Sequence, residues 1–273
     1  MKFIVMGGDE RAAALCRLLA EDGHGVFPMA LDAVLPQQGP PDYRGSDGLI
    51  LPLPAERGGL LNAPLCAAKL SIDEALAAVP AGTRVYAGMA GERLRQVCAE
   101  KGLRLFDYFE REDFQIKNAA LTAEGALSLL LGADGRAMGG RRVLIAGFGR
   151  IGRLLALRLG ALGLRVTVAA RSAAQRAWAA AMGFEAVRLA EAHWHETDFV
   201  VNTVPHTIFG GREIAAFGEA KLLELASAPY GFDMAAVKSL GKEIILAPGL
   251  PARIAPESAA KAVMDTVLIM LEE

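Results

Sequence analysis

Arg142-Val-Leu-Ile-Ala146-Gly147-Phe148-Gly149-Arg150-Ile151-Gly152 decides the fold. Its first five residues read as a buried strand, and the next six are a GxGxxG turn from which a helix, Arg153–Leu162, opens. In such a turn the tight bend needs Gly147, a pyrophosphate approaching bare backbone needs Gly149, and helix–strand packing needs Gly152. The N–H groups of the helix start then face the phosphates, beside Phe148, Arg150 and Ile151. Gly163 ends the helix, and Leu164-Arg-Val-Thr-Val-Ala169 follows as the next strand, so a whole βαβ unit is present and dinucleotide binding is expected.

At the end of that second strand an NAD site would offer Asp or Glu to the ribose hydroxyls, but the residues are Ala169-Ala170-Arg171-Ser172. A 2′-phosphate meets no carboxylate repulsion there and would pair with the Arg171 guanidinium and the Ser172 hydroxyl. NADP is therefore expected ahead of NAD, which stays possible. Asp198-Phe-Val-Val-Asn202-Thr203-Val-Pro205 is a later strand whose carboxyl end should meet the nicotinamide half, lined by Asn202, Thr203 and Pro205. His206, next in the loop, is either a proton donor or acceptor or an ordinary loop histidine. His193 and His195 lie two apart, on different helix faces, with no carboxylate pattern nearby, so no metal site is expected.

Outward from this unit, Val/Ile/Leu stretches alternate with helical periodicity, the pattern of α/β proteins. Lys2–Met6, Val26–Leu31, Gly48–Leu53, Arg84–Ala87 and Leu103–Phe106 read as strands, with helices over Asp9–Glu21, Ser71–Val79 and Glu92–Lys101. A long helix follows Asp113, with Phe114, Ala119, Leu121, Leu127 and Leu130 as its buried stripe. The expected architecture is two Rossmann-like, doubly wound parallel-sheet domains joined by a long helix, with a C-terminal helix returning to the first domain. The expected bounds are 1–112, 113–140 (connecting helix), 141–252 (NAD(P)-binding) and 253–273.

The 273 residues carry 29 Lys and Arg against 31 Asp and Glu, a net charge of −2, so no global field favours nucleic acid or an anionic membrane. With 53% hydrophobic residues the chain can bury a core. Cys16, Cys66 and Cys98 form no CxxC pair, and no signal-like or membrane-spanning run occurs. A cytoplasmic protein is expected.

The first βα turn, Gly7-Gly8-Asp9-Glu10-Arg11, places two carboxylates where a pyrophosphate would sit, so it is not read as a second coenzyme cradle. The alternatives are a helix cap with a solvent-facing arginine, or a cleft in which Asp9 accepts a proton and Arg11 grips an acid. Arg111, Lys117, Asn118, Thr122 and Glu124 of the connecting segment offer further polar groups to a small acid, and spacing alone does not choose among them.

Beyond these residues the chain resembles the A subunit family of dipicolinate synthase along nearly its whole length. The resemblance rests on Gly7-Gly-Asp-Glu-Arg11, Leu51-Pro-Leu-Pro54, Tyr108-Phe-Glu-Arg-Glu-Asp-Phe114, Asn118-Ala-Ala-Leu-Thr-Ala-Glu-Gly-Ala126, the glycine turn and Leu250-Pro-Ala-Arg-Ile-Ala-Pro-Glu-Ser258. It implies an NADP-linked protein that works with a flavoprotein-like B subunit, and forms dipicolinate from a dihydro- or hydroxytetrahydrodipicolinate of the lysine pathway during sporulation. The chain departs from the family pattern at Tyr230, where a glycine is expected before Gly231, and at Ala252 and Ala260. Two other readings compete: a non-catalytic NADP-binding regulatory subunit, and a 2-hydroxy-acid dehydrogenase. The second lacks its usual arginine in Ala226–Gly231 and has no histidine after His206. A homo-oligomer is compatible with each of these readings.

Overall fold

The structure is a computed structural model that describes the chain apart from residues 37, 38, 40 and 192–196; His193 and His195 lie outside the described residues. The chain forms two compact units, residues 1–118 with 255–273, and residues 119–254. In chain order the first unit contains β1 (Lys2–Met6), α1 (Glu10–Glu21), β2 (Gly25–Met29), β3 (Gly48–Ile50), a small hairpin of β4 (Glu56–Arg57) and β5 (Leu60–Leu61), α2 (Ile72–Ala75), β6 (Arg84–Ala87), α3 (Glu92–Glu100) and β7 (Arg104–Asp107). The helix α4 (Glu112–Leu131) then carries the chain into the second unit.

All five strands of the main sheet run parallel in the order β2-β1-β3-β6-β7. This is the flavodoxin-like order, with its reversal point between β1 and β3. β1 shows why the sheet is buried on both faces: Phe3 and Val5 enter one core while Ile4 and Met6 enter the other. The strand expected over Gly48–Leu53 stops at Ile50, because Pro52 and Pro54 have no N–H to extend a ladder. The expected helix from Ser71 is one short turn, with Ser71 and Glu74 closing a capping box.

The second unit continues with β8 (Arg142–Ala146), α5 (Arg150–Ala161), β9 (Arg165–Ala169), α6 (Ala173–Ala181), β10 (Glu185–Val187), β11 (Phe199–Asn202), α7 (Gly211–Ala216), β12 (Lys221–Glu224), α8 (Met234–Ser239), β13 (Ile244–Leu246) and α9 (Leu250–Ile254). Its parallel sheet is ordered β10-β9-β8-β11-β12-β13, the 3-2-1-4-5-6 arrangement of dinucleotide-binding domains. Here too the side chains of β8 alternate, Val143 and Ile145 into one core and Leu144 and Ala146 into the other.

The helix α4 joins the two units and belongs to both, giving Phe114 to the first unit's core and Ala123, Ala126 and Leu130 to the second's. The buried stripe beyond residue 118 is Ala119, Ala123, Ala126 and Leu130, whereas Leu121 and Leu127 are only half-buried. The last helix, α10 (Pro256–Glu272), starts on a proline at its first turn and returns to the first unit, as expected. Ala260, Val263 and Val267 share a core there with Ala12, Leu15 and Leu19 of α1.

Candidate functional site

In the second unit the strand order reverses between β8 and β11, and the glycine turn leaves the carboxyl end of β8 at that point. Gly147 has φ +92°, and a Cβ there would lie 2.5 Å from Thr203 Oγ1, so both conformation and space demand glycine. A Cβ on Gly152 would lie 2.3 Å from the Gly147 carbonyl oxygen. Gly149 differs, because no atom lies within 4 Å of where its Cβ would be. It is exposed and serves as the N-cap of α5, which therefore begins at Arg150, earlier than the expected Arg153. No side chain caps this helix. A bare, open backbone at an uncapped helix start is what a pyrophosphate requires, so the residues present fit a dinucleotide. Arg150 and Ile151 form the first turn, while Phe148 is fully buried under the loop and its carbonyl accepts from Arg153 Nε at 3.2 Å.

After β9, Arg171 and Ser172 are both exposed. Ser172 Oγ caps α6, accepting from Gln175 N at 3.5 Å, which leaves its O–H able to donate. Arg176 Nη1 donates to the carbonyls of Ala170 and Arg171 at 2.8 and 2.7 Å, pinning the backbone that carries Arg171. The Arg171 guanidinium makes no hydrogen bond or ion pair among the described residues.

At the end of β11 the expected residues separate. Thr203 Oγ1 donates to the Ala146 carbonyl at 2.8 Å and packs on Gly147, while Pro205 and His206 are exposed. Asn202, expected along the coenzyme, instead has its side chain wholly buried. Its amide donates to the Val204 carbonyl at 2.9 Å and to Glu224 Oε1 at 2.6 Å, so it shapes the turn from within. Glu224, at the end of β12, escaped notice in the sequence, although an acid inside the apolar run Leu222-Leu-Glu-Leu225 was its signal. Besides Asn202 its carboxylate accepts from Ala226 N (2.9 Å), Gly231 N (2.8 Å) and Phe232 N (3.3 Å), gathering the 226–232 loop around one buried anion. Burial pushes its carboxyl up, against the pull of these four hydrogen bonds.

Tyr230 in that loop has φ +66°, left-handed backbone that favours glycine. Tyr230→Gly should therefore stabilise the protein by about 0.5–1 kcal/mol, the relieved strain outweighing the entropy of a freer unfolded chain. A thermal melt should rise by roughly 2 °C; a lower midpoint would show that the ring's contacts matter more than its backbone.

The first unit holds a second concavity at its own reversal point between β1 and β3. It is a shallow recess with room for about 20 Å³, lined by Gly7, Asp9, Arg11, Leu53 and Tyr108 among apolar side chains. Asp9 caps α1 through Arg11 N (3.1 Å) and also accepts from Arg11 Nη2 (3.1 Å). Arg11 is buried, so the solvent-facing reading of it fails. Every carbonyl of Leu51-Pro-Leu-Pro54 is held: by Tyr108 Oη (3.1 Å), Gly88 N (3.1 Å), Arg11 Nη2 (2.6 Å) and Asn62 Nδ2 (2.9 Å). That accounts for this motif as a fixed wall.

The connecting-segment candidates do not gather there. Arg111 pairs with Asp113 at 3.0 Å and Glu273 at 2.6 Å, and Glu124 with Arg158 at 3.1 Å. Asn118 is half-buried and Thr122 buried along α4, in different units. Burial pushes the thiols of Cys16 and Cys98 up to about 12 and about 11, the behaviour of packing residues. Among the described residues no helix is long and apolar enough to cross a membrane.

Comparison with known proteins follows the same division. Residues 2–109 match the N-terminal domain of the A subunit of dipicolinate synthase, and residues 111–215 match the NAD-binding domain of D-isomer specific 2-hydroxyacid dehydrogenases. The chain is 29% identical to the A subunit of dipicolinate synthase from Bacillus subtilis over 287 residues, covering 100% of this chain and 96% of that protein. The crystal structure of the A subunit of dipicolinate synthase from Bacillus halodurans aligns with a TM-score of 0.88 at 26% identity, over 100% of this chain and 98% of that one. A transhydrogenase from Sinorhizobium meliloti, 13% identical over 100% and 92% of the two chains with a TM-score of 0.70, shares the fold. Fold and glycine cradle together define a two-unit NAD(P)-dependent oxidoreductase. Within that class, the chain is similar to the dipicolinate synthase A subunits along its whole length.

Proposed function

We propose that this protein oxidises a dihydrodipicolinate, or the 4-hydroxytetrahydrodipicolinate that yields it by loss of water, to dipicolinate with NADP. The observation that carries the reading is a complete, open dinucleotide cradle in a chain whose other unit matches the N-terminal domain of the dipicolinate synthase A subunits. When bound, the coenzyme supplies the hydride acceptor. The backbone of Gly147–Gly152 and the start of α5 hold its diphosphate, and Thr203 with Pro205 flank the nicotinamide end. The reaction removes one hydride and one proton from the ring, and aromatisation drives it, so little acid–base machinery is required. Asp9 is the carboxylate that takes the proton and His206 the exposed alternative. Arg11 is the foremost of the substrate-binding candidates, ahead of Arg111, Asn118, Thr122 and Glu124. A cytoplasmic setting and a flavoprotein-like B subunit as partner are part of this reading.

The test is formation of ultraviolet-absorbing pyridine dicarboxylate from the lysine-pathway precursor with NADP. Coenzyme binding without any such product would overturn the proposal in favour of a regulatory role. Coenzyme choice is tested separately. Arg171→Ala should weaken NADPH binding about 10- to 30-fold in a fluorescence titration, the loss of one charge-assisted phosphate contact, while NADH binding holds. Equal NADPH affinity in the two proteins would remove Arg171 from the site.

A further inference from the structure

We propose that Tyr230 is a coenzyme-specificity residue whose ring stacks on the nicotinamide and favours its oxidised form. This rests on the coenzyme placement proposed above, with the nicotinamide end beside Thr203 and Pro205. Tyr230 is brought to that end by two loops that are tied together. The Gly231 carbonyl accepts from the N–H groups of Ile208 and Phe209 at 2.8 and 2.9 Å, and the Phe209 carbonyl accepts from Asp233 N at 2.9 Å. Thr207 Oγ1 donates to the Tyr230 carbonyl at 3.4 Å. Gly231 lies against the end of β11, where an added Cβ would collide with the Asn202 side chain. Tyr230 thus stands at the carboxyl edge of β11 and β12, the edge at which a doubly wound sheet meets its dinucleotide.

Packing within the unit does not account for a large ring here. The φ of +66° is costly for a tyrosine, and a residue held in such backbone persists only where its surroundings fix it. They do so on both sides: the buried Glu224 carboxylate holds the N–H groups of Gly231 and Phe232, and Tyr230 N donates to the Ser227 carbonyl at 3.2 Å. Yet the side chain, half-buried, joins neither hydrophobic core of the second unit. Among the described residues it makes no ring contact or side-chain hydrogen bond. A strained, unpacked aromatic at a ligand-bearing edge is matched by a ring that the ligand brings. The face of a phenol ring is electron-rich, the oxidised nicotinamide is a pyridinium cation, and the reduced one is neutral. Stacking therefore strengthens the hold on NADP⁺ more than on NADPH, which in an enzyme that oxidises its substrate favours loading of the form that accepts hydride.

Calorimetric titration of the full-length protein, Tyr230→Gly and Tyr230→Phe would compare NADP⁺, NADPH and 2′-phospho-ADP-ribose, which lacks the nicotinamide. Tyr230→Gly should bind NADP⁺ about 5- to 10-fold more weakly, NADPH about 2-fold more weakly, and 2′-phospho-ADP-ribose as the unaltered protein does. Tyr230→Phe, which keeps the ring, should stay within about 2-fold for all three. Thermal melts of the same samples should show Tyr230→Gly no less stable, so that one change relieves the fold and impairs the site. If Tyr230→Gly melts lower, Tyr230→Asn decides, since asparagine tolerates left-handed backbone and carries no ring. Full NADP⁺ affinity without the ring, a loss shared equally by NADPH or by 2′-phospho-ADP-ribose, or an equal loss in Tyr230→Phe would each overturn the stacking and leave the coenzyme cradle standing. Failure of the unaltered protein to bind any of the three would overturn the cradle, and this proposal with it.

Discussion

Gly149→Asp should lose dinucleotide binding by at least about 100-fold while melting close to the unaltered protein. The two effects separate because of where the residue sits. Its backbone is at an ordinary φ of −80°, and nothing occupies the space a side chain would enter, so the fold has no objection to a carboxylate. The same carboxylate would cap α5 well and stand where the diphosphate approaches, setting like charges against each other at the helix start. Gly152→Ala is the contrasting control, since its Cβ meets a backbone oxygen and the turn itself must shift. Fluorescence titration with NADPH beside thermal melts reads both. Unchanged affinity in Gly149→Asp would mean that the diphosphate does not lie along this turn.

The second large effect belongs to Glu224. Glu224→Ala leaves Asn202 Nδ2 and the N–H groups of Ala226, Gly231 and Phe232 without their acceptor inside the protein. A loss of about 3–5 kcal/mol is expected, less than four separate penalties because the loop can open to water. Chemical denaturation measures it. The pH dependence carries a sign. The folded protein holds the Glu224 proton more tightly than the unfolded chain does, so this group's contribution to stability falls as pH rises through its raised value. The stability advantage of the unaltered protein over Glu224→Gln should therefore shrink from the acid side upward. A difference that stays level with pH would show the carboxyl to be unperturbed.

The elements that could be read from the sequence were those in which local chemistry and tertiary packing agree. β8 and its glycine turn are legible because strand, bend and helix each need those residue types, and α1 because Asp9 caps an apolar face. The start of α5 was misplaced because a glycine N-cap carries no side-chain signal. Along α4, Phe114, Ala119 and Leu130 are buried as the stripe requires, but Ala123 and Ala126 take the places expected of Leu121 and Leu127, and their small size hides them from hydrophobic periodicity. In the site, the glycine roles and the exposed positions of Arg171 and Ser172 follow from local pattern. The burial of Asn202 does not, because its partner lies on another strand, and the enclosure of Arg11 depends on the distant 51–54 wall. Spacing along the chain contains neither pairing.

The helix that closes the first unit is made after all of the second. During synthesis, residues 119–254 emerge with their sheet complete, whereas the surface of α1 awaiting Ala260, Val263 and Val267 stays bare until α10 leaves the ribosome. The nucleotide-binding half is thus able to mature while its neighbour is still an unsealed intermediate, and a nascent chain halted before residue 255 would present an uncovered apolar groove to chaperones.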